Sequence, residues 1–318
     1  LLGPNGAGKT TTFYMIVGLI KPNEGRIFLE DDEGKVAELT KEPVYKRAQM
    51  GVGYLAQEAS VFRRLSVEDN IRAVLEMTDF SKEYQTERVE SLIEEFRLQK
   101  VRKSLGIQLS GGERRRTEIA RAVAINPAFI LLDEPFSALD SYLKWNLELE
   151  LSDLLAGFHG PILWVSHDRD ECYRNCRSVC VMEDGRTGEV TPMDEMIRHP
   201  GSVSAARLAG CKNFFAAEAR DGKVYLPEWN VALPLAGMEN TFTTIGIPDN
   251  AVTMSENGAM SCTVCRMILG VEENILLLRP EGSVEGAPML RITVGHESDL
   301  QAGAAVRVAL DDSKLLLL

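Results

Sequence analysis

Apolar residues follow two patterns in the first 190 residues of the chain. Short apolar runs occur at residues 52–55 and 129–132, and a further mainly apolar strand is predicted at 162–166. Such runs are typical of strands that are buried on both faces of a parallel sheet. Elsewhere apolar residues recur at spacings of three and four, which predicts amphipathic helices. These helical positions are Phe13, Ile16, Val17 and Ile20; Ile71, Val74 and Leu75; Val89, Leu92, Ile93 and Phe96; and Leu143, Leu147, Leu151 and Leu154. Strands that alternate with helices predict an α/β fold.

The last third of the chain has a different pattern. Residues 201–318 contain short β-branched runs separated by turn sequences such as Asp221-Gly222 and Asn257-Gly258, which predicts a small all-β, barrel-like domain. The segment between Pro192 and Pro200 has the composition of a linker. We therefore predict a first domain at residues 1–190 with a helical insertion at about 57–108, a linker at 191–200 and the β-domain at 201–318.

Composition and charge narrow the function classes. The chain has 318 residues, of which 45% are hydrophobic, so it is long enough to bury a sizeable core in two domains. The net charge of -12 argues against nucleic acid as a partner, because such binding needs a positive face that displaces counterions. No apolar run approaches the roughly 20 residues that a membrane-spanning helix needs, so we expect any membrane role to be peripheral.

Residues 3–10, GPNGAGKT, fit the phosphate-loop pattern G-x-x-x-x-G-K-[ST] between a strand end and a helix. Gly3, Gly6 and Gly8 allow the backbone to approach phosphate oxygens closely. Lys9 is suited to contact the β- and γ-phosphates, and the Thr10 hydroxyl to bind Mg²⁺. The alternative is a glycine-rich turn with an incidental lysine, and the adjoining helix favours the phosphate loop over it.

The sequence LSGGERRRTEIARA begins at Leu109 and predicts a second anion-binding helix end. Ser110 with Glu113 fits the capping-box pattern. Gly111 and Gly112 would occupy the first turn, where free N–H groups and the helix dipole attract a phosphate. The alternative is an ordinary capped helix whose following arginines are solvated, and taken alone this stretch favours that alternative.

Polar residues follow the predicted strands. Asp133 and Glu134 come at the end of the run 129–132, where ligands bind in α/β folds. Asp133 is suited to hold Mg²⁺, and Glu134 to act as the general base that activates water. Gln57 follows the run 52–55, and His167 follows the run 162–166, so both are predicted at the same edge of the sheet.

The six cysteines do not form a metal-binding pattern. Cys172, Cys176 and Cys180 are four residues apart, and Cys262 and Cys265 form a close pair, but a second pair with zinc-finger spacing is absent from the sequence. We interpret the cysteines as reduced, mostly buried thiols.

These motifs together resemble the ATP-binding subunit of an ABC transporter over roughly residues 1–188. The Walker A loop, Gln loop, LSGGE signature, Walker B strand, SALD loop and His loop occur in the order typical of that family. The resemblance implies a P-loop ATPase domain with a helical insertion, the cofactors ATP and Mg²⁺, and a homodimer that sandwiches ATP and drives membrane permease subunits. In this family a small antiparallel subdomain precedes Walker A and supplies an aromatic residue that stacks on adenine. We expect that subdomain to be missing from residues 1–318.

The resemblance also implies roles for individual residues. The implied ATP-binding set is Gly3, Asn5, Gly6, Ala7, Gly8, Lys9, Thr10, Thr11, Ser110, Gly111, Gly112 and Asp140. Ser110, Gly111 and Gly112 would contact the γ-phosphate in the partner subunit, and Asp140 would form a dimer contact. The implied catalytic residues are Glu134, His167 and Gln57, and the implied Mg²⁺ ligands are Thr10, Gln57 and Asp133.

The two halves of the chain resemble different transporters. The segment YLAQEASVFRRLSVEDNI, which begins at Tyr54, is similar to the lipopolysaccharide-export ATPase. The PFSALD segment and residues 201–318 are similar to molybdate importers, whose ATPases carry an OB- or MOP-like oxyanion domain. We favour import of molybdate or a related oxyanion, because domain architecture carries more weight than loop similarity, with lipopolysaccharide export as the alternative.

Two further points bear on that choice. In importers an arginine commonly follows the isoleucine that corresponds to Ile247. Here Pro248 and then Asp249 follow it, so whether the β-domain binds an oxyanion stays an open question. A natural recombinant, an artificial join or a mistaken sequence assembly, with the junction at about residues 117–137, would all give the same sequence. A soluble ABC-type ATPase that acts on DNA or ribosomes is the distant alternative.

Overall fold

The computed structural model describes residues 1–30, 34–137, 141–158, 160–234, 242–298 and 300–318. The chain forms two compact units, Leu1–Val190 and Thr191–Leu318. We call them unit 1 and unit 2. In unit 2 the described residues form mainly strands, whereas unit 1 alternates strands with helices.

Unit 1 is an α/β unit, as the sequence predicts. Its helices are α1 (Lys9–Val17), α2 (Val44–Gln49), α3 (Val67–Leu75), α4 (Lys82–Glu95), α5 (Gly111–Ala124), α6 (Ser141–Leu155) and α7 (Arg169–Asn175). Its strands are β1 (Phe28–Glu30), β2 (Val36–Glu38), β3 (Val52–Leu55), β4 (Phe129–Asp133), β5 (Ile162–Val165), β6 (Ser178–Glu183) and β7 (Arg186–Pro192). Short 3₁₀ turns at Gln99–Val101 and Gly106–Gln108 lead into α5.

The central parallel sheet has the order β3-β4-β5, with Val52 opposite Phe129 and Ile130 opposite Ile162. Successive residues of β4 point to opposite faces of the sheet. Ile130 and Leu132 pack into a core with the helical insertion, whereas Leu131 packs against Phe13 of α1. This burial on both faces explains why β4 is a continuous apolar run.

Three helices of unit 1 begin at serine caps, of which the one at Ser110 is predicted from the sequence. Ser66, Ser81 and Ser110 each accept a hydrogen bond from a backbone N–H in the first turn of α3, α4 and α5. Helix α1 is shorter than its apolar spacing predicts. Gly18 adopts φ 96°, which favours glycine, and ends the helix after Val17. Ile20 therefore lies outside α1 and is exposed. Within the described residues, no helix combines the length and the apolar character needed to cross a bilayer.

A buried carboxylate holds the helical insertion together. Glu68 of α3 receives hydrogen bonds from Arg102 (2.7 Å), Lys103 (2.6 Å) and Arg72 (3.1 Å). Arg102 also binds Glu90 of α4 at 2.5 and 2.7 Å. The bonds from Arg102, and then those from Lys103 and Arg72, lower the pKa of Glu68 to about 2 in spite of burial.

We expect Glu68→Gln to destabilise the protein at pH 7 by about 1–3 kcal/mol, because the cations lose their charged partner. The folded-state pKa is depressed, so this stability is present above the unfolded value of 4.5 and is lost as pH falls toward about 2. Urea unfolding of wild type and variant should thus converge across that window. Glu90→Gln is the matched control, since Glu90 also binds Arg102 but is exposed and should matter less. A constant difference between wild type and Glu68→Gln would contradict this account.

Unit 2 is built mainly from antiparallel strands. They are β8 (Asn213–Ala216), β9 (Glu218–Arg220), β10 (Lys223–Leu226), β11 (Val231–Leu233), β12 (Thr244–Ile247), β13 (Val252–Met254), β14 (Met260–Ile268), β15 (Asn274–Pro280), β16 (Leu290–Val294), β17 (Ala305–Leu310) and β18 (Leu316–Leu317). The sheet orders are β11-β10-β9, β18-β12-β8 and β13-β17-β14-β15-β16. Alternate residues of β14, β15 and β16 are buried around Trp229, which also packs on Phe215 at 4.0 Å. The predicted all-β character of the C-terminal part is confirmed.

The segment predicted as a linker, residues 191–200, contains helix α8 (Met193–Arg198). Helix α9 (Val203–Leu208) follows it, within the range predicted as the β-domain. Met193 and Met196 are three residues apart and both are buried, so apolar packing stabilises α8. Ser202 caps α9 through the N–H of Ala205 at 3.1 Å.

Candidate nucleotide site

The phosphate-loop segment leaves the central sheet beside β5 and β6. Leu2 forms parallel bridges with Ser166 and Val181, and its carbonyl accepts a hydrogen bond from the Met182 N–H at 2.8 Å. The loop therefore begins at the carboxyl ends of the parallel strands, where ligands bind in α/β folds. A Cβ atom on Gly3 would lie 2.4 Å from the Met182 carbonyl oxygen, so only glycine fits there.

The loop wraps over the N-terminus of α1. Gly6 and Gly8 have φ values of 84° and 100°, and Gly8 is the N-cap of the helix. The buried Lys9 side chain donates hydrogen bonds from Nζ to the carbonyls of Gly3 (2.6 Å) and Pro4 (3.0 Å). Burial lowers the pKa of Lys9, whereas the carboxylates of Glu134 and Asp133 act in the opposite direction.

The remaining predicted binding residues of this segment differ in exposure. Asn5 and Thr11 are exposed, Thr10 is half-buried and Ala7 is buried. Ala7 contributes through its backbone: its N–H donates to the Pro4 carbonyl at 3.2 Å, and its carbonyl accepts from the Gly185 N–H at 2.9 Å. The bond from Gly185 ties the loop to the turn between β6 and β7.

The three predicted catalytic side chains meet at one carboxylate. Gln57 donates from Nε2 to Oε2 of Glu134 at 2.9 Å, and His167 Nδ1 lies 3.1 Å from Oε1 of the same carboxylate. Glu134 has φ 41°, a strained value for a residue other than glycine. Its backbone N–H donates to the Val165 carbonyl at 2.9 Å, which fixes it beside the end of β5.

Asp133 has the properties expected of a metal ligand. Its side chain is fully buried, and both carboxylate oxygens are without a hydrogen-bond partner among the described residues. Burial, and then the charge of Glu134, raise the pKa of Asp133 to about 6, with Lys9 and Arg115 opposing. Unpaired hard oxygens beside a phosphate loop suit Mg²⁺, so the residues fit this cofactor.

The cysteines are predicted to be reduced, mostly buried thiols and not the ligands of a zinc site. All six cysteines are free thiols, of which Cys172, Cys211 and Cys262 are buried and the others are half-buried. In the part of the chain that the structure describes, no group of three or more His, Cys, Asp and Glu side chains could hold a metal ion.

The signature segment forms the predicted capping box at the start of α5. The N–H of Ser110 donates to Oε2 of Glu113 at 2.9 Å, and the N–H of Glu113 donates to the Ser110 hydroxyl at 3.4 Å. Among the described residues outside its own turn, no atom lies within 4 Å of a Cβ built on Gly111, so this helix end is open there, whereas Gly112 is buried. Asp140, together with Ala138 and Leu139, lies outside the described residues.

Arg115 is a buried residue that the sequence analysis missed. It donates from Nε to the Pro135 carbonyl and from Nη1 to the Ala56 carbonyl, both at 2.7 Å. Pro135 directly follows Glu134, and Ala56 directly precedes Gln57. Arg115 also bonds Glu118, whose other oxygen accepts from the N–H groups of residues 60 and 61. The spacing of three between Arg115 and Glu118 was the available signal. It was obscured because Arg115 stands in a run of three arginines.

A groove of about 800 Å³ lies between the helical insertion and the sheet. Its lining includes Tyr45, Met50, Tyr54, Met77, Phe80 and Arg121. It also includes Glu118, which binds Arg115, so the groove adjoins the contacts that hold Gln57 and Glu134.

Unit 2 carries a carboxylate at the position where the sequence departs from oxyanion importers. Asp249 accepts a hydrogen bond from Nη1 of Arg291 at 2.9 Å, and its other oxygen is buried without a partner among the described residues. Asn213 is buried beside them and bonds the backbone of Ile247 and Arg291. A carboxylate that already pairs with the nearby arginine disfavours an anion at this place.

Comparisons with known proteins agree with the geometry of unit 1. The family model described as ABC transporter matches residues 1–137. A probable ABC transporter ATP-binding protein of Azorhizobium caulinodans is 59% identical over 140 residues, which cover 44% of this chain and 48% of that protein. The lipopolysaccharide export system ATP-binding protein LptB of Acidithiobacillus ferridurans is 45% identical over 200 residues, or 63% of this chain and 80% of LptB. LptB of Escherichia coli K12 is 46% identical over 186 residues, or 58% and 75%.

Solved structures share the fold. The ATP-binding cassette MJ0796, described as a dimeric post-hydrolysis state with ADP and Pi, matches with a TM-score of 0.52 and 26% identity, over 60% of this chain and 83% of MJ0796. The ADP conformation of MJ1267 matches with a TM-score of 0.53 and 23% identity, over 64% and 85% of the two chains.

The chain belongs to the ABC transporter family, as an ATP-binding subunit with the P-loop ATPase fold. It spans about half the length of the Azorhizobium relative and at least three quarters of these two LptB proteins.

Proposed function

We propose that this chain is the ATP-hydrolysing subunit of an ABC transporter, and that Glu134 activates the water that attacks the γ-phosphate. The observation that carries the proposal is the convergence of Gln57 and His167 on the Glu134 carboxylate beside the phosphate loop. A carboxylate held by two polar partners is oriented to take a proton from a water molecule in line with the γ-phosphate.

In this mechanism the backbone N–H groups of residues 5–11 and the N-terminus of α1 hold the phosphates of ATP. Lys9 exchanges its hydrogen bonds with Gly3 and Pro4 for the β- and γ-phosphate oxygens. Glu134 then takes the proton from the attacking water, while His167 contacts the γ-phosphate. Thr10, Gln57 and Asp133 are the residues that would hold Mg²⁺, which neutralises phosphate charge when bound.

The proposal includes a second copy of the chain. In the described part of the chain, Ser110 and Gly111 form an open helix N-terminus whose capping bonds join it to α5, so it is available to meet a phosphate outside its own subunit. We propose a head-to-tail homodimer in which residues 110–112 of one subunit complete the ATP site of the other, with Asp140 in the dimer contact. The related cassette MJ0796 is described as dimeric.

We assign the groove beside the helical insertion to a helix of a membrane permease, which would hold the chain peripherally at the cytoplasmic face of the membrane. The apolar Met50, Met77 and Phe80 offer a surface for an amphipathic helix. Movement at the groove would reach the hydrolysis site through Glu118 and Arg115, because these residues bond the segments that carry Gln57 and Glu134.

For the cargo we now favour lipopolysaccharide export over molybdate import. The LptB proteins reported above are named for lipopolysaccharide export, and their matches extend over about three fifths of this chain. The pairing of Asp249 with Arg291 also weakens the oxyanion interpretation of unit 2. The all-β fold of unit 2 keeps oxyanion import as the second candidate.

Titration calorimetry of the whole chain with molybdate, tungstate and sulfate separates these candidates. We expect no heat of binding up to millimolar concentration, because Arg291 is already paired with Asp249. Asp249→Asn is the companion variant, since it removes the negative charge that pairs with Arg291 while keeping the side-chain shape. Molybdate binding by wild type, together with co-purification of a molybdate permease instead of lipopolysaccharide-export membrane subunits, would return the cargo to an oxyanion.

A further inference from the structure

Lys144 connects two helices beside the hydrolysis site. It lies in the second turn of α6, and its Nζ donates to Oδ2 of Asp168 at 2.5 Å and to Oε2 of Glu171 at 3.1 Å. Lys144 and Glu171 are largely buried. Burial alone would lower the pKa of Lys144, but its hydrogen bonds to Asp168 and Glu171 outweigh burial and raise it. Lys144 is therefore charged in the folded protein.

Asp168 directly follows His167, so a fixed Asp168 also limits where His167 can lie. Its Oδ1 accepts from the N–H groups of Asp170 (2.9 Å) and Glu171 (3.1 Å), which makes it the N-cap of α7. Its own N–H donates to the Ser166 hydroxyl at 3.0 Å. The cap uses only Oδ1 of Asp168, and Oδ2 accepts the hydrogen bond from Lys144. The lysine therefore fixes the second oxygen of this carboxylate.

Lys144 also shares a small space with the catalytic cluster. A cavity of about 130 Å³ is lined by Lys144, Asp168 and Glu171 together with Glu134 and His167. A change in the Lys144 contact can therefore be transmitted to His167, whose ring is half-exposed and lies 3.1 Å from the Glu134 carboxylate.

We infer that Lys144 is a positioning residue for hydrolysis, which acts through Asp168 to hold His167 against Glu134. The inference rests on the proposed roles of Glu134 and His167, and it adds to them a residue of α6. Without the lysine, Asp168 keeps its cap but loses its charged partner, in the cavity that His167 and Glu134 also line. Small displacements of this kind reduce the rate of the chemical step more than they reduce substrate binding.

A purely structural role is the competing explanation, and α6 and α7 offer a matched control for it. One turn farther from His167, Arg174 of α7 donates from Nε and Nη2 to the buried Glu148 of α6, at 2.6 and 2.9 Å. This pair joins the same two helices without touching the cavity at Glu134. Arg174→Met thus removes a comparable helix-to-helix ion pair outside the catalytic cluster.

The test compares Lys144→Met, Lys144→Arg, Asp168→Asn, Arg174→Met and the double variant Lys144→Met with Asp168→Asn. For each we would measure kcat and KM for ATP, the melting temperature, and the ¹⁵N-imidazole signals of His167 in nucleotide-free protein. We expect Lys144→Met to lower kcat about tenfold with KM changed less than about twofold, and to shift the His167 signals. Lys144→Arg should restore most of kcat, because the charge and the donors remain.

The other variants complete the test. Asn is a good helix cap, so Asp168→Asn isolates the lost ion pair, and the double variant should be no slower than either single one. Arg174→Met should lower the melting temperature but leave kcat and the His167 signals unchanged.

Unchanged kcat and unchanged His167 signals in Lys144→Met would overturn the inference. It would also be overturned if kcat of Arg174→Met fell together with its melting temperature, because kcat would then follow stability. If wild type shows no ATPase activity that depends on Glu134, the proposed function fails instead. The His167 signals of nucleotide-free protein then still decide whether Lys144 positions the ring.

Discussion

Replacement of Glu134 by glutamine is expected to lower the rate of ATP hydrolysis by about two to four decades while ATP binding is retained. The amide has the same shape and can still meet Gln57 and His167, which lie 2.9 and 3.1 Å from the carboxylate oxygens. It cannot take the proton of the attacking water. The measurement is phosphate release under saturating ATP, with nucleotide affinity determined in parallel.

The control for this variant is Glu95→Gln, which neutralises a surface carboxylate of α4 and should hydrolyse ATP at the wild-type rate. Near wild-type turnover in Glu134→Gln would mean that another group activates water. Loss of ATP binding in the same variant would mean that Glu134 acts in binding, and the assignment of a general base would then be wrong.

Mixing two inactive variants is expected to restore hydrolysis. In Gly111→Asp a carboxylate stands at the open end of α5, where it would repel a γ-phosphate. The fold should tolerate it, since a Cβ at Gly111 meets no described atom within 4 Å outside its own turn. Lys9→Ala removes the cation of the phosphate loop. Each homodimer has two damaged sites, whereas the mixed dimer has one intact site, made of Lys9 from one subunit and Gly111 from the other.

Phosphate release by each variant alone and by the mixture gives the answer. Recovery on mixing supports action of the signature across the dimer. Full activity of Gly111→Asp alone, or inactivity of the mixture when mixed dimers are shown to form, would rule against residues 110–112 acting in trans.

The strands that carry the candidate site could be predicted from the sequence because their environment is simple. Strands β3 and β4 are buried on both faces, so each is a continuous apolar run, and the polar residue after each run lies at the ligand-binding edge. This placed Gln57, Glu134 and His167 near one another before their contacts were known. The capping box at Ser110 could also be predicted, because its two partners lie within one helical turn.

The residues that sequence reasoning missed depend on contacts between distant segments. Arg115 stands in a run of three arginines, a pattern typical of a solvated surface. Its side chain is nevertheless buried, because the carbonyls of residues 56 and 135 accept its hydrogen bonds. Arg47 is likewise fully buried, because it donates to the carbonyls of Met15 and Ile16 at the end of α1. Lys144 and Asp168 are 24 residues apart, and spacing alone gave no sign of their pairing.

The helix within residues 191–200 was not predicted, for a different reason. Pro192 and Pro200 were interpreted as linker residues, but proline also precedes the first turn of helices. Pro192 is the N-cap of α8, and the two buried methionines of that helix outweigh the irregular composition.

The central claim is that ATP binds between the phosphate loop of one subunit and the signature of another. Light scattering on Glu134→Gln with and without ATP tests it most directly, because the variant should bind ATP without consuming it. We predict a monomer alone and with ADP, and a dimer of twice that mass with ATP, which Gly111→Asp added to the same chain should prevent. A chain that binds ATP and remains monomeric, or a dimer that forms regardless of nucleotide and of Gly111, would contradict the account.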